Sequence, residues 1–104
     1  MNTKLIICSC SQTLATQTAL EAVESRLASQ SFELPGKWAQ YLWMAKSRQE
    51  HEVVLLLITH SDLSDSLYEI IFKYDTSSLS VVVTLPISDV HKSYIRWMTR
   101  YLAN

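Results

Sequence analysis

The chain has 104 residues with nine basic and ten acidic side chains, a net charge of −1, and 48% hydrophobic residues. That balance builds no positive field for nucleic acid. Its apolar runs of about six residues fall far short of the roughly 20 that a membrane-spanning helix needs, so neither nucleic acid nor membrane is an expected partner.

The length suits one domain over residues 1–104, burying roughly 65% of its unfolded surface. Residues 1–10 (MNTKLIICSC) form too short an apolar run for a secretory signal, which makes a cytoplasmic protein the expectation. Within them, residues 4–10 are rich in β-branched and small apolar side chains and predict a first strand. Ser11, Gln12 and Thr13 follow as cap candidates. From Leu14 to Gln30, Ala15, Ala19, Ala22, Val23 and Leu27 recur at helical spacing, with Glu21, Glu24 and Arg26 opposite. The small residues of that stripe let a helix lie close on a sheet.

Phe32 to Met44 predicts a second strand. Pro35-Gly36 interrupts it, so it must be kinked or lie at an edge. Residues 45–49 (AKSRQ) predict the turn, and Glu50 to Thr59 the returning third strand. A helix then starts near His60, Ser61 and Asp62, with Leu63, Leu67, Ile70, Ile71 and Tyr74 as its buried stripe. After a polar loop at 75–78 comes a fourth strand from Leu79 to Pro86. Ser88 and Asp89 are the expected caps of a last helix whose inner face is Val90, Tyr94, Trp97, Met98 and Tyr101.

This order is α+β: the ferredoxin-like β-α-β-β-α-β arrangement, an antiparallel sheet with two helices on one face, followed by a C-terminal helix. Val53 to Ile58 and Val81 to Leu85 are runs that ask for cover on both faces. Two helices cover one face, and the last helix hides only part of the other. An apolar patch of that kind marks an interface, so a homo-oligomer is expected.

Three separated motifs carry a family resemblance. Tyr41-Leu42-Trp43-Met44-Ala45-Lys46, followed by Glu50, Glu52 and Val53, resembles the hairpin of the CutA divalent-cation tolerance proteins. Arg26-Leu27-Ala28 before Leu34-Pro35-Gly36 resembles the end of that family's first helix and its kink. Leu85-Pro86-Ile87 with Tyr94-Ile95-x-Trp97 resembles its last strand and terminal helix. The resemblance implies a ferredoxin-like subunit in a tight homotrimer with interlocking hairpins, a link to tolerance of copper and other divalent cations, and an architecture like that of the PII signalling proteins. The departures fall on the family's proposed ligands. Its histidine–proline–tyrosine stretch is Asp75-Thr76-Ser77 here, followed by Ser78, Leu79 and Ser80. Its helix-end cysteine is Gln30, its hairpin glutamate Met44 and its hairpin glycine Ala45. The resemblance thus implies a degenerate metal site.

Cys8 and Cys10, two apart, share a strand face. They read either as small hydrophobes or as thiolate ligands for copper or another divalent cation. Same-strand neighbours do not reach disulfide geometry easily. His51, His60 and His91 have no ligand spacing to them and read as loop or helix-end residues. Tyr41, Trp43, Lys46, Glu50 and Glu52, joined by Asp75 and Trp97, form a candidate inter-subunit cleft. Lys46 could meet an anion there and the carboxylates a cation, or the set could simply pack between subunits with rim ion pairs. A PII-like module that binds a small ligand or a partner protein at this cleft is the alternative to metal tolerance. With one glycine there is no phosphate-cradling loop, and neither a triad nor an HExxH spacing occurs, so no enzyme is expected.

Overall fold

A computed structural model describes residues 2–43, 46–74 and 81–103; at 35–43, 46–52 and 81 it describes the backbone alone. The elements are β1 (Thr3–Cys10), α1 (Gln12–Glu24), β2 (Gln30–Trp43), β3 (Lys46–His60), a 3-10 turn (Ser61–Leu63), α2 (Ser64–Tyr74), β4 (Val81–Pro86) and α3 (Lys92–Tyr101). The strands lie in the order β2-β3-β1-β4, every neighbour antiparallel. This is the expected ferredoxin-like sheet.

Local chemistry sets most boundaries. Ser11 caps α1, its Oγ accepting from the Leu14 N–H at 3.2 Å. The helix stops at Glu24, not at Gln30 as its periodicity suggested. Arg26 turns left-handed at φ 60°. Its N–H donates to Val23 O, and the Leu27 N–H donates to Ala22 O, both at 3.0 Å. These are the two bonds of a Schellman closure. The early stop is needed because Ser29 already donates to Ile58 O at 2.8 Å, bringing the chain to the sheet edge where β2 begins.

The expected turn at 45–49 is also corrected. Lys46 to Gln49 belong to β3, with Trp43 opposite Lys46 and Gln40 opposite Gln49. Extending the ladder pairs their backbone groups, and polar side chains are no obstacle where a ladder stands clear of the core. The kink expected at Pro35-Gly36 is a register shift between Leu34 and Lys37.

The core lies between the sheet and the two crossing helices. Ile6, Cys8 and Cys10 of β1 and Val53, Leu55 and Leu57 of β3 meet Leu14, Ala15 and Ala22 of α1 and Leu67, Ile70 and Ile71 of α2. The α2 stripe is therefore as expected, with Leu63 buried in the preceding 3-10 turn. His60 caps that turn, its Nδ1 accepting from the Asp62 N–H.

On the opposite face, register aligns Phe32, Leu56, Ile7 and Val83 in one row across all four strands. Phe32 is 42% exposed and Val83 45%. Helix α3 closes only the Ile58 end, where Met98 and Leu102 pack with Leu63 and Leu27. Its start differs from expectation. Ser88, Asp89 and Val90 precede the helix, and His91 caps it, Nδ1 accepting from the Ser93 N–H at 3.2 Å. Ile87 still donates to Thr3 O, so the chain needs the next residues to leave the sheet before it can coil.

Candidate functional site

The residues singled out from sequence fall in three separate places. The first is β1. Cys8 and Cys10 do share a face, and it is the helix-covered one: Cys8 is fully buried and Cys10 nearly so. Both are thiols, and Cys10 Sγ donates to Cys8 O at 3.8 Å. They bring two soft donors together inside the core. Among the described residues no group of three or more His, Cys, Asp and Glu is placed to hold a metal ion.

The second is the far end of the β2–β3 ladder. β1 pairs with β3 only as far as Val53. Beyond it, residues 37–43 and 46–52 pair with each other alone. At about 3.4 Å per residue this arm reaches about 24 Å past the sheet, and the protomer measures 45 × 25 × 23 Å. Tyr41, Trp43, Lys46, Glu50 and Glu52 are all on the arm, with Tyr41 opposite Arg48 and Trp43 opposite Lys46. Asp75 lies outside the described residues.

Trp97 occupies the third place. It lies on α3, whose core contact with Ile58 is at the opposite end of β3 from the arm. Its ring stacks on Tyr94 (centroids 5.6 Å apart, planes 15° apart) and meets Tyr101 at 5.9 Å. The Tyr94 hydroxyl donates to Gln30 Oε1 at 2.9 Å and lies 3.1 Å from Ser29 Oγ, which locks the stack to the start of β2. One protomer therefore does not gather the proposed cleft residues. His60 and His91 are helix-end caps, as their reading implied.

Two polar clusters were not legible as contacts. Lys73 Nζ donates to Glu21 Oε1 at 2.8 Å, and the Tyr74 hydroxyl donates to the same oxygen at 3.0 Å, joining α2 to α1. These bonds hold the Glu21 carboxyl below its ordinary value, and the carboxylate raises Lys73. Gln12 and Thr16 both donate to Glu33 Oε1, fixing α1 to the β2 edge. The partners are 17 to 53 residues apart in sequence, so no spacing announces them.

The sequence model of the CutA1 divalent ion tolerance protein family matches residues 4–101. The divalent-cation tolerance protein CutA of Yersinia pestis (strain Pestoides F) is 28% identical over 102 residues, covering 97% of this chain and 86% of that one. Among solved structures, the divalent cation tolerance protein Cut A1 from Thermus thermophilus superposes with a TM-score of 0.89 at 25% identity, over 99% of this chain and 100% of that one. The CutA of Archaeoglobus fulgidus, described as a periplasmic divalent cation tolerance protein, gives a TM-score of 0.87 over 97% of this chain and 98% of its own. At 17% identity that likeness is one of fold. No helix among the described residues is long and apolar enough to cross a membrane.

Proposed function

This chain belongs to the family of CutA1 divalent ion tolerance proteins, and from that premise we propose that it acts in divalent-cation tolerance as a single-domain, non-enzymatic homotrimer. The arm of residues 37–43 and 46–52 is the observation that carries the assembly. A two-stranded ribbon standing alone in water is marginally stable, so this one asks for sister chains to pack against. The row Phe32–Leu56–Ile7–Val83 asks for the same cover. In that arrangement one subunit's arm supplies Tyr41, Trp43, Lys46, Glu50 and Glu52 to a cleft, and Asp75 and Trp97 come from its neighbours. Light scattering of the purified protein should give three times the 11.9 kDa chain mass. A single-chain mass on dilution would remove the trimer and the cleft with it.

The metal reading keeps Cys8 and Cys10 as thiolates for copper, supported by their shared strand face. Because both lie in the core, uptake requires β1 to part from the helices. Cu(I) titration should then load wild type and not Cys8→Ser/Cys10→Ser. Equal loading would assign the pair to packing alone. The PII-like alternative predicts that Lys46→Ala or Glu52→Ala keeps the trimer and abolishes a calorimetric response to a nucleotide or metal; no difference from wild type removes it. The compartment proposed is the cytoplasm, which fractionation with a periplasmic marker tests directly.

A further inference from the structure

Two histidines cap helical turns in this fold, and both do so through Nδ1. The Ser93 N–H donates to His91 Nδ1 at 3.2 Å at the start of α3, and the Asp62 N–H donates to His60 Nδ1 at 3.2 Å ahead of α2. A backbone N–H can only donate, so each Nδ1 must be the unprotonated nitrogen of a neutral ring. An imidazolium donates from both nitrogens and accepts at neither. Unlike the Ser11 hydroxyl that caps α1, these caps therefore hold in one protonation state only.

Their surroundings differ. Asp62 Oδ2 lies 4.0 Å from His60 Nδ1, so a charge on that ring meets a carboxylate as its cap is lost. His91 has no such relief: among the described residues the ion pairs are His60–Asp62 and Lys73–Glu21. The charges beside it in sequence are Asp89 and Lys92, and α3 carries no acid in its first turn. From the elements that α3 packs on, Arg26 adjoins its far end, and His60 follows Ile58 on the α3 side of β3, with Asp62 in the turn after it. The same register turns Lys4 to the face under α1 and α2. A proton on His91 thus adds a cation at the positive end of a helix that already has Lys92 there. Ser93 Oγ, 2.7 Å from Nδ1, can accept from an imidazolium, but that leaves the Ser93 N–H without its acceptor.

Helix α3 depends on this end. It has ten residues, too few to be stable alone in water. Its core anchors, Met98 and Leu102, lie toward the C-terminus. The first turn is held by the cap and by Tyr94, whose hydroxyl donates to Gln30 Oε1 and lies 3.1 Å from Ser29 Oγ. We propose that His91 makes α3 an acid-released strap. As the ring takes up a proton, over an imidazole's ordinary range of about pH 8 to 5, the first turn unwinds and the Tyr94 bonds part. Tyr94 and Ile58 both pack on the Met98 cluster, so the Ile58 end of the open face loses the Tyr94 side of its cover. The core under α1 and α2 stays shut. The proposal goes beyond divalent-cation tolerance and rests neither on a metal nor on the trimer.

The test is residue-resolved amide exchange of the whole protein at about pH 7.5 and about pH 5, each rate taken relative to that of an unfolded chain at the same pH. Protection of Tyr94 to Trp97 should fall about fivefold in acid, the weight of one cap, while the amides of α1 keep theirs. His91→Asn supplies an acceptor that does not titrate, and should hold the protection of α3 within about twofold across the same range. His91→Ala should show the loss at both pH values. Circular dichroism and light scattering follow fold and mass at each pH. Constant protection in wild type overturns the proposal. An equal fall in His91→Asn overturns it in favour of His60 or the carboxylates, and a fall shared by α1 overturns it in favour of general loosening in acid. A mass that drops equally in wild type and His91→Asn, with protection lost alongside, assigns the response to subunit contacts and overturns it too.

Discussion

The two faces of β3 carry similar side chains and have different fates. Val53, Leu55 and Leu57 point under the helices and are almost fully buried, whereas Val54, Leu56 and Ile58, the alternate residues of the same strand, are only half covered. Composition does not separate them; cover does. Two amphipathic helices meet the needs of one face, and ten residues of α3 reach only one end of the other. Stability of the protomer therefore belongs to the first face, and the association proposed above would fall to the second.

Substitutions can break that division. Leu57→Ala on the covered face removes a fully buried side chain and should cost about 2–5 kcal/mol, read as a lower urea midpoint. A loss below about 1 kcal/mol would mean that the core repacks freely. Phe32→Lys with Val83→Lys on the open face should cost the isolated fold little, since both side chains are more than 40% exposed, yet should reduce the assembled mass. An unchanged mass with both lysines in place would show that the open face is not where chains meet.

The smallest effect lies on the outer surface of the covered side, at Glu21 and Lys73. Glu21 is held below its ordinary value of 4.5, so its bonds stabilise the fold above the unfolded value and that contribution is lost as pH falls through the lowered one. Lys73 is raised above 10.5, and its share is present below that value and lost as pH rises through the higher one. The urea-midpoint gap between wild type and Glu21→Gln should accordingly close in acid below about pH 4.5. A gap independent of pH would assign the effect of that substitution to packing.

Much of this arrangement is legible in the amino-acid sequence. Alternation and apolar runs locate the strands, and Ser11 announces the start of α1. What stays hidden there depends on partners distant in sequence. The stripe of α1 continues past Glu24, and only the bond from Ser29 to Ile58 explains why the helix cannot. Ser88 and Asp89 are better cap residues by type than His91, yet Ile87 is still tied to Thr3, which delays the helix. For Cys8 and Cys10, period-two spacing says that they share a face. Which face it is depends on where α1 and α2 lie, and that places the pair in the core.

The register shift between Leu34 and Lys37 acts as a joint between two pieces of one ladder. Strand residues alternate sides, so the slip at Pro35-Gly36 decouples the parity of the outer ribbon from that of the inner sheet. Three steps of β2 there run against two of β3, so removing the one extra residue would make the ladder regular and leave Gln30 to Leu34 and Lys37 to Trp43 opposite the partners they have now. A one-residue deletion is therefore the change of length that this joint tolerates with the pairing on both sides of it intact.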